Sequence, residues 1–102
     1  MTFTVIVGAD AERDWHEAVT FYDESEPGVS HRFNIVVREM LHTLSREPER
    51  FRLYTRLTHK AKMPPPWPHS VYFTIDEEYR EVKVVAIWHG ARNPAELRRR
   101  LK

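Results

Sequence analysis

Cysteine is absent from this sequence of 102 residues. Its absence excludes disulfide bonds, zinc–thiolate sites and thiol nucleophiles, so packing must stabilise the fold. No apolar run approaches the roughly 18 consecutive residues that a membrane span needs. The N-terminal stretch MTFTVIVG also lacks the basic start and long apolar region of a secretory signal, and we interpret it as the first strand. We therefore expect a cytoplasmic protein without membrane contact.

The two signs of charge nearly balance, because 16 basic and 15 acidic residues leave a net charge of only +1. With 41% hydrophobic and 30% charged residues, the chain is expected to form a single globular domain over residues 1–102. The acidic residues nevertheless dominate the first half, and basic residues form two later runs. A positive face would suit an acidic or phosphate-bearing partner, whereas solvated chain ends explain these runs equally well. The runs are Arg50, Arg52, Arg56, Lys60 and Lys62, and then Arg98, Arg99, Arg100 and Lys102.

Hydrophobic periodicity in the first half of the chain predicts one strand and two helices. Alternation predicts the strand at 2–7. Asp10 is expected to cap the first helix, with Glu12 and Asp14 in its first turn. A Ser-Glu-Pro-Gly turn separates it from the second helix, which should end before Pro48. Each helix carries an apolar stripe: Ala11, Trp15, Ala18, Val19 and Tyr22 in the first, and Val29, Phe33, Val36, Val37, Met40, Leu41 and Leu44 in the second.

The second half of the chain predicts three strands. A weakly patterned strand is expected at 53–62, followed by a rigid connection at 63–68, because each proline there removes a hydrogen-bond donor. Alternation resumes at 70–75, and the apolar run at 82–88 indicates a strand in the centre of a sheet. Residues 95–102 would form a short basic helix or a frayed end. The fold class is therefore α+β with the order βααβββ, an antiparallel helical hairpin packed on a mainly antiparallel four-stranded sheet.

The last predicted strand ends in AIWHGARNP, where an aromatic ring, an imidazole and a guanidinium precede a turn. Arg92 can bind a phosphate or carboxylate with two hydrogen bonds there, although a structural ion pair explains it equally well. His89 in such a position is more often structural, and Trp88 is more often part of the core. We take all three as candidate contacts for a target or partner.

Further candidates lie in the middle of the chain. Arg56, Lys60 and Lys62 alternate along the predicted strand and would share one face, as solvated residues or as contacts for a target or partner. Trp67 lies among prolines, where it would pack over the sheet edge or serve as an exposed binding residue. The six histidines have no spacing that fits a metal site, and no cofactor or small-molecule substrate is expected.

Four segments together resemble the ParE/RelE superfamily of type II toxins, which includes plasmid stabilisation proteins. They are AVTFYDESEPGVSHRF and REPERF in the helical part, PHSVYFTID in a strand, and VVAIWHGARNP at the end of the last strand. The resemblance spans the chain from Trp15 to Pro94, and the family's fold has the same βααβββ order. It implies a bacterial toxin that arrests growth when free and is silenced by a cognate antitoxin protein.

RelE-like members of this superfamily cut messenger RNA in the ribosome. They use basic residues on the middle strands, an arginine on the strand after the connection, an arginine after the last strand and a C-terminal tyrosine. Two of these groups are missing, because Ser70 or its neighbours stand in place of the first arginine and no tyrosine follows Tyr79. A nuclease mechanism would need other residues in place of this arginine and this tyrosine. Its candidate catalytic residues would be Arg92, Lys60, Lys62, His89 and Tyr72.

ParE-like members poison DNA gyrase without a known nuclease reaction of their own. The FYDESEPGVSHRF junction and the HGARNP ending resemble this group more, so our leading hypothesis is a gyrase-binding toxin that is not an enzyme. The alternatives are a RelE-like nuclease that acts on messenger RNA with the ribosome, and a degenerate, non-toxic binding module. The expected partners are a cognate antitoxin and gyrase. The candidate contacts are Arg92, His89, Trp88, Arg56, Lys60, Lys62 and Trp67.

Overall fold

The computed structural model describes residues 2–101, in which the chain follows the predicted βααβββ order and ends in a further helix. The C-terminal segment, for which the sequence allowed either a helix or a frayed end, is therefore helical. Lys102, in the second basic run, lies outside the described residues. The elements are β1 (Thr4–Val7), α1 (Ala9–Ser25), α2 (Val29–Arg46), a 3₁₀-helix (Pro48–Arg50), β2 (His59–Lys62), β3 (His69–Asp76), β4 (Glu81–His89) and α3 (Pro94–Arg100).

The strands of residues 2–101 form one mixed sheet in the order β1-β4-β3-β2. β4 has a neighbour on each side, as its continuous apolar sequence predicted. β3 pairs antiparallel with β2 and with β4, whereas β1 pairs parallel with β4. The sheet is thus mainly antiparallel but not purely so. The parallel pair is possible because the chain between β1 and β4 is long: it includes both helices, β2 and β3.

α1 and α2 cover one face of the sheet with their predicted apolar stripes. Phe33, Val37 and Leu44 of α2 are fully buried, and they belong to the same core as Val71 and Phe73 of β3. Full burial of such a side chain stabilises the fold by about 1.5–3 kcal/mol. This face of the sheet therefore holds the main hydrophobic core.

The start of α1 differs from the prediction. Gly8, not Asp10, occupies the N-cap position, and no side chain caps the helix. A Cβ atom at Gly8 would lie 3.1 Å from the carbonyl oxygen of Val84, so the close approach of β1 to β4 favours glycine there. Asp10 lies in the first turn and pairs with Arg13 at 3.1 Å. Asp14 is buried, and it lies beyond the first turn, in which the sequence placed it.

α3 packs on the opposite face of the sheet. Leu97 is buried there with Tyr72 and Trp88 in a second, smaller core. Asn93 caps this helix through its side chain, and Pro94 occupies the first turn, where a missing N–H is tolerated. The C-terminal helix therefore covers part of the face that also carries the basic residues of β2.

The predicted strand at 53–62 is shorter in the structure, because β2 forms only its last four residues. Residues 52–60 fold back as a tight turn that we call the basic hairpin. The N–H groups of Tyr54 and Thr55 both donate to the carbonyl oxygen of Thr58, at 2.7 and 3.1 Å. The Thr55 hydroxyl also accepts a bond from the Thr58 N–H at 3.2 Å. This local bonding competes with a continuous strand ladder.

The shorter β2 changes the placement of one candidate residue. Lys60 and Lys62 share an exposed face of β2, whereas Arg56 lies in the turn of the basic hairpin. The prediction that all three alternate along one strand is therefore wrong for Arg56. Residues 63–68 form the predicted connection between β2 and β3. No helix within residues 2–101 is long and apolar enough to cross a membrane.

Candidate functional site at the end of the central strand

A buried carboxylate joins α1 to the end of β4 and to α3. Asp14 is 5% exposed, and it accepts hydrogen bonds from Arg92 at 3.2 Å and from Arg100 at 2.6 and 3.2 Å. The backbone N–H of Ile87 donates a further bond to Asp14 at 3.0 Å. A charge is tolerated in the interior when it is paired and hydrogen-bonded, and these contacts fulfil both conditions.

Trp88 is a buried platform for the two arginines that bind Asp14. The guanidinium carbon of Arg92 lies 3.7 Å from the Trp88 ring centroid, and that of Arg100 lies 5.0 Å away. Both distances are within the range in which an aromatic face attracts a cation. The indole N–H also donates to the carbonyl oxygen of Arg92 at 3.3 Å. We call Asp14, Trp88, Arg92 and Arg100 the strand-end cluster.

The two arginines of the strand-end cluster differ in their access to solvent. The Arg100 side chain is 19% exposed, and hydrogen bonding to Asp14 raises the pKa of Arg100 further. It also donates to the carbonyl oxygen of Val85 at 3.3 Å. The Arg92 side chain is 39% exposed and makes a single bond to Asp14 within residues 2–101. Arg92 is therefore the member of the cluster that a partner molecule can reach.

Two histidines lie beside Arg92. His69 on β3 pairs with His89 on β4, and their ring centroids are 5.0 Å apart. Nδ1 of His89 accepts a bond from the Ala91 N–H at 2.9 Å, so the proton of the neutral ring is on Nε2. Burial and the neighbouring His89 lower the pKa of His69 to about 4. His69 is thus neutral at physiological pH.

An open cavity of about 400 Å³ separates α1 from the end of β4, and Arg92 and both histidines line it. Its walls are largely apolar, and Phe21 on its rim is 62% exposed. A pocket of this kind accepts an apolar group and orients it through a few polar contacts. No group of three or more histidine, aspartate or glutamate side chains within residues 2–101 could hold a metal ion.

Sequence reasoning missed Asp14, Arg100 and His69 as residues of this site. Asp14 did carry a signal, because it follows Ala11 by three positions and precedes Ala18 by four, within the apolar stripe of α1. A charged residue in such a stripe is rarely buried without a partner. Nothing local identifies Arg100 as that partner, because 86 positions separate the two residues.

Comparison with known proteins identifies the family of this chain. The family model for the ParE toxin of the parDE type II toxin–antitoxin system matches residues 5–94. The chain belongs to this family. It is also similar to Toxin RelE1 of Caulobacter vibrioides, with 31% identity over 94 residues that cover 88% of this chain and 96% of that protein.

Solved structures of toxins share the fold. The chromosomal ParDE system of P. aeruginosa superposes with a TM-score of 0.73 at 13% identity, over 85% of this chain and 95% of that one. The toxin–antitoxin complex RelBE2 of Mycobacterium tuberculosis gives 0.61 at 24% identity, over 87% and 99%. A mutant of the E. coli toxin RelE in the free state gives 0.64 at 13% identity, over 95% and 93%. These likenesses confirm the predicted ParE/RelE fold.

The sheet of the toxin separates residues that a nuclease would have to combine. Lys60, Lys62 and Tyr72 lie on the face that carries α3, whereas His89 borders the cavity beside α1 on the other face. Lys60 does approach Tyr72, with Nζ 5.9 Å from the ring centroid. Arg92 lines the cavity with His89. The sheet therefore separates His89 from Lys60, Lys62 and Tyr72, whereas Arg92 contacts Trp88 on the α3 face and also lines the cavity.

Neither the residue near the position of the missing arginine nor the candidate substitute Tyr72 is suited to catalysis. Ser70 is buried, at the position near which the RelE-like pattern has an arginine. Burial and the neighbouring Tyr54 raise the pKa of Tyr72, so its hydroxyl is protonated near neutral pH and is not available as a base.

Both candidate tryptophans are packed residues. Trp88 is buried in the smaller core, as its alternative reading as a core residue predicted. Trp67 is half-buried, and its ring lies edge-on to Phe33 and Tyr22 at 5.4 and 5.5 Å. Their direct contact with a target or partner stays a prediction, as do the binding roles of Arg56, Lys60 and Lys62.

Proposed function

We propose that this toxin arrests bacterial growth by binding DNA gyrase and that it does not cleave RNA. The observation that supports binding is the separation of Lys60 and Lys62 from His89 by the sheet. Cleavage through a 2′-hydroxyl requires a base, a proton donor and cations within reach of one phosphate. Binding requires only a surface of fixed shape and charge, which the end of β4 provides.

In this proposal the strand-end cluster and its cavity contact the target. Arg92 is held by the Trp88 ring and by Asp14, so its side chain loses little freedom when it binds. Arginine and aromatic residues in such partly enclosed positions commonly dominate protein interfaces. The guanidinium would bind a carboxylate or carbonyl oxygen of the target. The exposed Phe21 and the cavity would take an apolar side chain.

The proposal includes a cognate antitoxin that silences the toxin in the bacterial cytoplasm, where gyrase acts. Family membership supports the antitoxin, because the family model describes one half of a two-protein system. One structural relative is itself a toxin–antitoxin complex.

A RelE-like, ribosome-dependent nuclease is the second candidate. The exposed lysines of β2, Lys60 and Lys62, favour it, as does the name of the relative Toxin RelE1. In this alternative Arg92 would bind a phosphate at the end of the sheet, where its guanidinium lies over the Trp88 ring. A non-toxic binding module would share the fold and would have no effect on growth.

Tightly controlled expression in a bacterium, with pulse labelling of DNA and protein synthesis, tests the proposal. We expect DNA synthesis to fall first. Arg92→Ala should restore growth, whereas Arg99→Ala, which removes an exposed arginine of α3, should leave the arrest unchanged. Protein synthesis that collapses first would support the nuclease. A folded wild-type chain without any growth effect would exclude both candidates.

A further inference from the structure

The basic hairpin presents two leucines to solvent. Leu53 is 58% exposed, and Leu57 in the turn is 72% exposed. The backbone beneath them is fixed, because the hairpin closes with internal bonds and the Lys60 N–H donates to the carbonyl oxygen of Arg52 at 2.9 Å. Apolar side chains on a fixed backbone lose little conformational freedom when a partner covers them.

Cations flank these leucines along the chain. Arg52, Arg56, Lys60 and Lys62 are exposed, and none of them forms an ion pair within residues 2–101. Arg50 adds a fifth charge, and its own ion pair is confined to its turn of the chain. The net charge of the whole chain is only +1, so these residues form a local positive field. Such a field steers an acidic partner to this surface.

A groove of about 460 Å³ lies along the basic hairpin and β2. Phe51 and Leu53 contribute apolar walls to it. Arg52, Lys60 and Lys62 line it with positive charge. The groove thus combines apolar walls with positive charge.

We propose that the basic hairpin and its groove bind an acidic amphipathic segment of a partner protein. Apolar side chains of that segment would contact the two leucines, and its carboxylates would contact the surrounding cations. An amphipathic helix laid into an apolar groove is a common mode of peptide recognition. Lys60 and Lys62 lie on the face opposite the cavity of the strand-end cluster, so this surface is separate from the one that we propose contacts gyrase.

The aromatic residues of this surface favour a protein segment over a nucleic acid. Single-stranded nucleic acid binds where bases can stack on open aromatic faces. Here Nζ of Lys60 lies over the Tyr54 ring at 5.5 Å, and Tyr72 is buried. The most exposed large apolar side chains of this surface are Leu53 and Leu57.

A fluorescence anisotropy titration of the full chain tests the inference. The probe is a labelled helical peptide of roughly 15 residues, with leucines on one face and glutamates on the other. The double variants Leu53→Ser/Leu57→Ser and Arg52→Glu/Lys60→Glu should each weaken binding about tenfold or more, without a change in melting temperature because all four side chains are exposed. Higher salt should weaken the wild-type complex.

Matched controls distinguish specific binding at this surface from nonspecific binding of the peptide. Ile35→Ser and Arg38→Glu change an exposed apolar residue and an exposed cation of α2, and neither should affect binding. A peptide of the same composition with its leucines scattered should bind at least about tenfold more weakly. Absence of peptide binding, or binding that tolerates loss of both leucines, would overturn the inference. Preference for a single-stranded RNA oligonucleotide over the peptide would overturn it as well.

Discussion

Neutralising Asp14 tests whether the strand-end cluster holds the end of β4 in place. Asp14→Asn keeps the volume but leaves one acceptor oxygen, and its new amide hydrogens face the donors of Arg100 or Ile87. Breaking a buried ion pair in this way costs about 3–5 kcal/mol. That is a large part of the roughly 5–15 kcal/mol that stabilises a typical domain.

Substitution of either arginine should lower the free energy of unfolding less than Asp14→Asn does, and the two arginine substitutions should differ in their cost. Arg100→Ala removes two bonds to Asp14 and one to Val85 from a side chain that is 19% exposed, so we expect a cost of about 2–3 kcal/mol. Arg92→Ala removes one bond from a side chain that is 39% exposed, and solvent screening limits its cost to about 1 kcal/mol. The double variant of Asp14 and Arg100 should cost less than the sum of the single variants, because they share contacts.

Urea unfolding measures these differences as shifts of the midpoint at a constant slope. Arg99→Ala serves as a control, because Arg99 is exposed and lies on the same helix as Arg100. The reasoning would be refuted if Asp14→Asn cost less than about 1 kcal/mol. It would also fail if Arg92→Ala were as destabilising as Arg100→Ala, because Arg92 would then be a structural residue and not a free contact.

Two further predictions concern the histidine pair and the lysines of β2. The pKa of His69 lies at about 4 in the folded state and near 6.5 when unfolded, so between these pH values only the unfolded chain binds the proton. The free energy of unfolding should therefore fall as the pH is lowered through this window, by about 1–2 kcal/mol after allowance for solvent screening. Urea unfolding should show a weaker pH dependence for His69→Phe than for His16→Phe, whose histidine is exposed, and equal dependence would contradict the assignment. The double variant Lys60→Ala/Lys62→Ala should still arrest growth. If this variant folds but no longer arrests growth, the result would favour the nuclease.

Periodicity predicted the elements well because it reports which side of each element is buried. The stripe of α2 and the apolar run of β4 are long, and each placed its element correctly. The segment at 53–62 failed because the hydroxyl and backbone bonds of Thr55 and Thr58 close a turn where only a weak alternation supported a strand. The parallel pairing of β1 was not predictable, because alternation shows a strand but not its direction.

The sequence could not predict on which face of the sheet each site residue lies, and the reason is different. Tyr72 pairs with Ala86 and Phe73 pairs with Val84, so Val85 is an extra residue on β4. Strict alternation would place Val84 and Trp88 on the same face, but the bulge separates them. Val84 then packs in the main core and Trp88 packs against α3.

The same bulge determines to which of the two opposite faces of the sheet Trp88 and His89, which are adjacent in sequence, each contribute. It sends Trp88 towards α3, where the ring supports Arg92 and Arg100, and it leaves His89 beside the cavity next to α1. Asp14 connects the two sides, because its carboxylate binds both arginines and the backbone of β4. A change in how α3 packs would alter the contacts of Arg100, and the shared carboxylate would transmit that change to Arg92. The position of Arg92, the arginine of the strand-end cluster that a partner can reach, therefore depends on residues from both ends of the chain.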